Sequence, residues 1–221
     1  MNGLVRRDLM VLRARRLPMK ALVFAIFSVA FSGIMGFAGS GLLSVIAPLA
    51  ALAAALSLFA TDDADAWHVF LCISPVPLER VVMSRYIVVL GAVVAASMFG
   101  LALNLAIFAA FREQELIWYL VFTLAGFLGA CASAIISMPL CYWAGASGSN
   151  IAQLAPLVVL GGLAAGVRVI DVRQVTSFLL TLSVFHYVLA VLAVLVAGLF
   201  VSAASSVFLY RRRISERRIA K

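Results

Sequence analysis

Charge is what this chain lacks over most of its length. No Asp, Glu, Lys or Arg occurs in Ala21–Thr61, Tyr86–Phe111, Leu116–Val167 or Gln174–Tyr210, runs of 41, 26, 52 and 37 residues. Only 12% of the 221 residues are charged, where a soluble domain carries about 25%. The charged segments left over are too short to build a core of their own, so no separate soluble domain is expected. The whole chain, 1–221, reads as one all-α, polytopic helical membrane domain.

Chemistry is also missing. There is no GxxxxGK[ST], so this chain cradles no nucleotide phosphate. There is no HExxH and no His, Cys, Asp and Glu set at metal spacing. Neither a catalytic set nor a metal site is therefore expected, and no cofactor is assigned to this chain. Three cysteines, Cys72, Cys131 and Cys141, form no CxxC. Cys131 and Cys141 fall on one helix about 15 Å apart, too far to pair, and read as small buried apolar residues. No Asp, Glu, Lys or Arg side chain sits clearly within a span. Ion-coupled transporters and membrane-embedded enzymes keep such groups at depth despite a cost of about 2.5–3.5 kcal/mol each. No cleavable signal peptide is evident, because the apolar run after Lys20 continues too far.

What is present is a set of membrane-length runs. A span needs about 20 residues. Gly36–Gly41 divides the first run and Gly145–Asn150 the third, giving six expected spans: 21–37, 41–60, 84–111, 117–143, 151–168 and 180–209. Of seventeen Lys and Arg, thirteen fall in 1–20, 61–83 and 211–221, and Arg85 just beyond the loop makes fourteen on that side. The excess of basic residues on one side places both termini and the 61–83 loop in the cytoplasm. The terminal clusters read as anchors against anionic lipid. They offer phosphate attraction without any base-reading module, so no nucleic-acid partner is expected.

Polar groups at depth are mild. Asn104, Gln153 and His186 read first as interhelical hydrogen-bond partners, and they are also the candidates for a substrate path, since a buried polar group needs a partner. Pro48, Pro139 and Pro156 are expected to kink their spans. Ala96/Gly100 and Gly91/Ala95 offer small-residue spacing for close helix packing. In residues 4–17, Leu4, Val5, Leu9 and Leu12 fall near one helical face, with Arg6, Arg7 and Arg13 elsewhere. That pattern predicts a helix lying in the inner membrane interface over 1–20, broken from the first span by Pro18.

The 61–83 loop is the one long polar interval inside the chain. Thr61 and Asp62 can cap a short helix, with Asp63 and Asp65 at its positive end. Trp67, Phe70 and Leu71 give it an apolar face. Pro75 stops it, and Pro77 suits the first turn of the next helix, with Glu79 close behind. The expected product is a helix, a break and a helix whose elbow projects toward a soluble partner. An ordinary connector with an interfacial Trp is the alternative.

The segment resembles the loop of bacterial permeases of the type-2 ATP-binding-cassette exporter class, in the short six-span family. Those show an acidic start, a Trp, Leu-Pro-Val-Ser-Arg about eight residues on, and Ser-Lys-Tyr leading into the third span. Here Trp67 precedes Pro75-Val76, and Ser84-Arg85-Tyr86 stands in the Ser-Lys-Tyr place. Val5-Arg6-Arg7-Asp8-Leu9 is similar to the family's Lys-Lys-Asp start. Pro77-Leu78 replaces the family's Ser-Arg, and the nearest basic residue is Arg80. The resemblance implies the membrane subunit of an exporter in the bacterial cytoplasmic membrane. It would be paired with a second copy or a related permease, and driven by separate ATPase subunits that use ATP and Mg. Asp62, Asp63, Trp67, Pro75, Pro77, Arg80, Ser84, Arg85 and Tyr86 become the coupling candidates, Arg80 as the salt-bridging group, and Arg6, Arg7 and Asp8 the interfacial-helix residues. A stand-alone binding or immunity-type membrane protein and a membrane-embedded lipid-modifying enzyme are the rival readings.

Overall fold

The computed structural model describes residues 2–14, 16–64, 76–152, 154–155, 158 and 184–219. Among them there is no strand. The helices are α1 (Asn2–Ala14), α2 (Leu17–Ala64), α3 (Leu78–Phe111), α4 (Leu116–Ala152) and α5 (Val184–Ile219). Four segments are long and apolar enough to cross a membrane: Met19–Asp62, Leu78–Phe111, Leu116–Gly145 and Ala190–Ser215. This is a multi-pass membrane protein, and its 34-residue α3, about 51 Å long, extends well beyond a hydrocarbon core of about 30 Å.

Helices α2 and α4 each fold back on a single glycine. Gly36 has φ 57° and ψ −134°, and Gly145 has φ 62° and ψ −129°. A Cβ on Gly39 would stand 3.2 Å from Ser32 Cα, whereas seven residues of straight helix separate atoms by about 10 Å. The Ser137 hydroxyl donates to the Ala152 carbonyl at 3.1 Å, across what would be about 22 Å of continuous helix. These dihedrals lie in a region that only glycine occupies readily. The six-residue turns expected from sequence are therefore each condensed to one residue. Ser40 and Ser44 lie within the helix, and their hydroxyls are satisfied by bonding back to the carbonyls of Phe37 and Gly41. Pro48 and Pro139 lie inside helices, and the non-helical dihedrals fall at the glycines instead. Pro156 lies outside the described residues.

The second limb of α2, 37–64, occupies the middle of the bundle. Its backbone at Ser44 is approached from both sides: a Cβ on Gly100 of α3 would lie 3.1 Å from Ser44 Cα, and one on Gly126 of α4 2.8 Å from Val45 Cα. Small residues permit such approach where lipid supplies no hydrophobic drive between helices. Gly100 belongs to the expected small-residue pair, whereas Gly91 has nothing within 4 Å. The core runs along Leu52, Leu56 and Phe59 of α2, Val82, Tyr86, Val89 and Val93 of α3, and Ala134, Met138 and Tyr142 of α4. The recurrence at three and four residues is the period of one helical face. Cys131 and Cys141 are buried and unpaired, as small apolar residues would be.

Helix α1 packs on this bundle through Leu12, buried against Leu58 and Val88, with Val5 and Val11 beside them. Leu9, expected on that face, is 54% exposed. Asp8 takes the inward position instead, for an electrostatic reason.

Candidate functional site

Thr61 and Asp62 do not open a new helix. They form the last turns of α2, with the Thr61 hydroxyl bonded back to the Ser57 carbonyl at 3.2 Å. A carboxylate at a helix C-terminus opposes the macrodipole, and Asp62 is compensated by two arginines. Arg7 Nη1 lies 2.8 Å from its Oδ1, and Arg85 Nη2 binds its Oδ2. Arg85 Nε stands 3.3 Å from Asp8 Oδ2, and Arg7 Nη1 3.3 Å from Asp8 Oδ1. Two cations thus meet two anions. Asp8 and Arg85 are each 3% exposed, a depth that charged side chains tolerate only when paired. The Arg85 guanidinium also stands 5.2 Å from the Phe59 ring centroid, within reach of a cation–π contact.

Burial pushes the Asp8 carboxyl above the ordinary carboxylate range. Arg85 draws it down, Asp62 raises it and Arg7 draws it down again, and the net direction is upward. As pH falls, Asp8 therefore takes up its proton earlier than an exposed carboxylate would, and the pair with Arg85 then loses its charge.

A second layer lies against this cluster. Tyr142 of α4 packs edge-on to Phe59 at 4.9 Å and beside Tyr210 of α5 at 5.2 Å. The Tyr86 hydroxyl contacts Ser202 Oγ at 2.6 Å and Ser206 Oγ at 3.0 Å, and Ser202 donates to the Ile135 carbonyl at 2.7 Å. Because Ser202 has one proton and gives it to Ile135, Tyr86 must donate to Ser202. The base of the loop is therefore joined to α1, α2, α3, α4 and α5.

Of the coupling candidates, Asp62, Arg85 and Tyr86 are brought together and turned into the protein. Ser84 is also buried, its hydroxyl donating to the Val81 carbonyl at 2.8 Å. The ion-paired residue is Arg85, while Arg80 is exposed. Pro77 is exposed and serves as the N-cap of α3, one residue ahead of the first turn expected for it, and Glu79 lies in that turn. Glu79 pairs with Arg211 of α5 at 3.0 Å, both well exposed. Such surface pairs contribute little, about 0–1 kcal/mol. Arg6 is exposed. Asp63 lies in α2 and His186 in α5, but their side chains, with Trp67, Pro75 and Gln153, fall outside the described residues.

At the opposite end of the bundle, Asn104 is fully buried. Its Nδ2 donates to the Tyr119 carbonyl at 3.0 Å and to Thr123 Oγ1 at 2.9 Å, tying α3 to α4. Asn104→Leu should lower stability by about 0.6–1.7 kcal/mol, the range for interhelical hydrogen bonds in membranes. Thermal denaturation in detergent checks this, and an unchanged midpoint would show the bonds to be dispensable. Glu113, which sequence reasoning did not single out, accepts a 2.8 Å hydrogen bond from the Phe37 N–H. It places negative charge at the start of the second α2 limb, where the dipole favours it.

Among the described residues no group of three or more His, Cys, Asp or Glu could hold a metal. The groove between α4 and α5, lined by residues such as Ala125, Gly129 and Val194, is apolar. The chemistry of the clasp is mechanical: it fixes the two ends of a loop to each other and to the helix ahead of the bundle. No curated protein and no solved structure matches the chain. The family model for "ABC-2 family transporter protein" matches residues 3–211. Family members are membrane components of ABC transporters, work with an ABC ATPase and are typically not themselves enzymes. A match over nearly the whole length, on a bundle of apolar helices tied at one loop base, makes this chain a member of the ABC-2 family of transporter proteins, an ABC transporter permease.

Proposed function

We propose that this permease is the membrane subunit of an exporter in the bacterial cytoplasmic membrane, with six spans and both termini inside. A separate ATPase docks at the 61–83 loop. The observation that carries the reading is the Asp62–Arg85 clasp at the two ends of that loop. A loop closed at its base delivers a push at its tip into α2 and α3 together. Pro77, Glu79 and Arg80 are exposed at the start of α3, ahead of the clasp, and form the docking edge. Two membrane chains, alike or related, complete the translocation path, and anionic lipid holds the basic termini. ATP and Mg are consumed by the partner.

Two fold-back turns support the span count, since α2 and α4 each reverse once. A cysteine placed at Glu216 should be labelled by a membrane-impermeant reagent only after permeabilisation. Labelling in intact cells would reverse the topology.

Docking is tested at Arg80. Arg80→Glu should weaken ATPase binding by about 2–5 kcal/mol, the cost of disrupting a charge pair in a desolvated interface. Membrane expression should be unaffected, because the residue is exposed and outside the core. Normal expression with undiminished ATPase pull-down would reduce this edge to a connector.

A further inference from the structure

Helix α1 is joined covalently to one part of the molecule and packed on another. A short turn with Arg16 at φ 56° links it to the first limb of α2, 17–35. Its packed face touches Leu58 on the second limb and Val88 on α3. The first limb itself is poorly held near α1. No residue of 19–27 is buried, with Met19, Leu22 and Ile26 each more than 60% exposed. Burial begins at Ser28 and recurs at Ser32, on the approach to the Gly36 turn. The limb therefore packs against the rest of the chain only toward its Gly36 end, and α1 is attached to its other end.

The attachment of α1 is electrostatic as much as apolar. Asp8 is the only carboxylate in α1, and it is nearly fully buried against Arg85 of α3. We propose that Asp8 is a positioning residue for coupling. Its ion pair with Arg85 makes α1 part of the same rigid base as Asp62 and the start of α3, so that movement of α3 pulls the first limb through α1. The proposal rests on the reading that an ATPase acts at the 61–83 loop, and its own core, the α1–α3 attachment, is measurable without that partner.

The experiment places cysteines at Leu12 and Val88 and follows disulfide formation in native membranes, with and without ATP plus vanadate. In the otherwise unchanged chain the cross-link should form equally in both nucleotide conditions, because α1 and α3 travel together. Asp8→Asn should reduce cross-linking about tenfold or more, as expected for loss of one partner of a buried pair. Asp8→Glu, which keeps the charge, should restore it. ATPase pull-down should survive Asp8→Asn, since the docking edge is untouched. Undiminished cross-linking in Asp8→Asn overturns the proposal, as does a cross-link lost on ATP and vanadate in the unchanged chain. Should Asp8→Asn fail to accumulate, the comparison of nucleotide conditions still decides. Absence of any copurifying ATPase, with cross-linking as expected, would instead sink the exporter reading and leave the attachment standing.

Discussion

Arg85→Ala should cost about 3–5 kcal/mol of stability, because it removes one partner from a buried ion-pair cluster. The residue left behind is the more expensive half. Asp8, 3% exposed, would face Asp62 with only Arg7 near both, and would either hold an uncompensated buried charge or take up a proton. The Phe59 ring would lose its cation as well. Expression in the membrane should fall sharply, and the detergent-solubilised protein should melt earlier. Arg85→Met combined with Arg7→Met, Asp8→Asn and Asp62→Asn should recover much of the loss, since the cluster is then emptied of charge and no ion is left without its partner. That recovered protein should still fail to couple, because the loop would no longer be closed at its base. An Arg85→Ala protein as stable as the parent would mean that water already satisfies the carboxylates, and the clasp would lose its energetic basis.

Gly145→Val should be nearly as damaging. A non-glycine residue at φ 62° and ψ −129° carries strain of about 1–3 kcal/mol, and a β-branched side chain adds steric conflict with its own backbone. The contacts beyond it depend on the reversal. Gly148 lies so close to the Leu140 carbonyl that no Cβ fits there, and Ala152 accepts its hydrogen bond from Ser137. Gly145→Val should therefore expose the segment after 145 to protease and lower the melting temperature. Gly91→Ala, where the added methyl meets nothing within 4 Å, is the neutral control. Equal behaviour of the two variants would show that the reversal at 145 is not held by its backbone conformation.

Membrane class and helix pairing were legible in the sequence, because runs without charge and glycine-rich interruptions are local signals. The sharpness of the turns was not. Gly36-Phe37-Ala38-Gly39-Ser40-Gly41 reads as a loop by composition, yet 37–41 are helical and the reversal falls on Gly36 alone. The charge cluster was half legible. Asp8, Asp62 and Arg85 each attracted notice for a separate reason, but their meeting joins residues 77 and 23 positions apart, and no local pattern encodes it. Thr61 and Asp62 misled, since a hydroxyl and a carboxylate before a polar stretch look like an N-cap. Here the two arginines make the carboxylate tolerable at a C-terminus. Glu113 had no local signal either, for its partner is a backbone N–H 76 residues away.

The most direct measurement is a photo-cross-linker placed at position 80, activated in native membranes, with the captured protein identified by mass spectrometry. The coupling account predicts an ABC-type ATPase as the principal product, with the yield changing on addition of ATP and vanadate. Capture of lipid alone, or of no ATPase at normal expression, would contradict it.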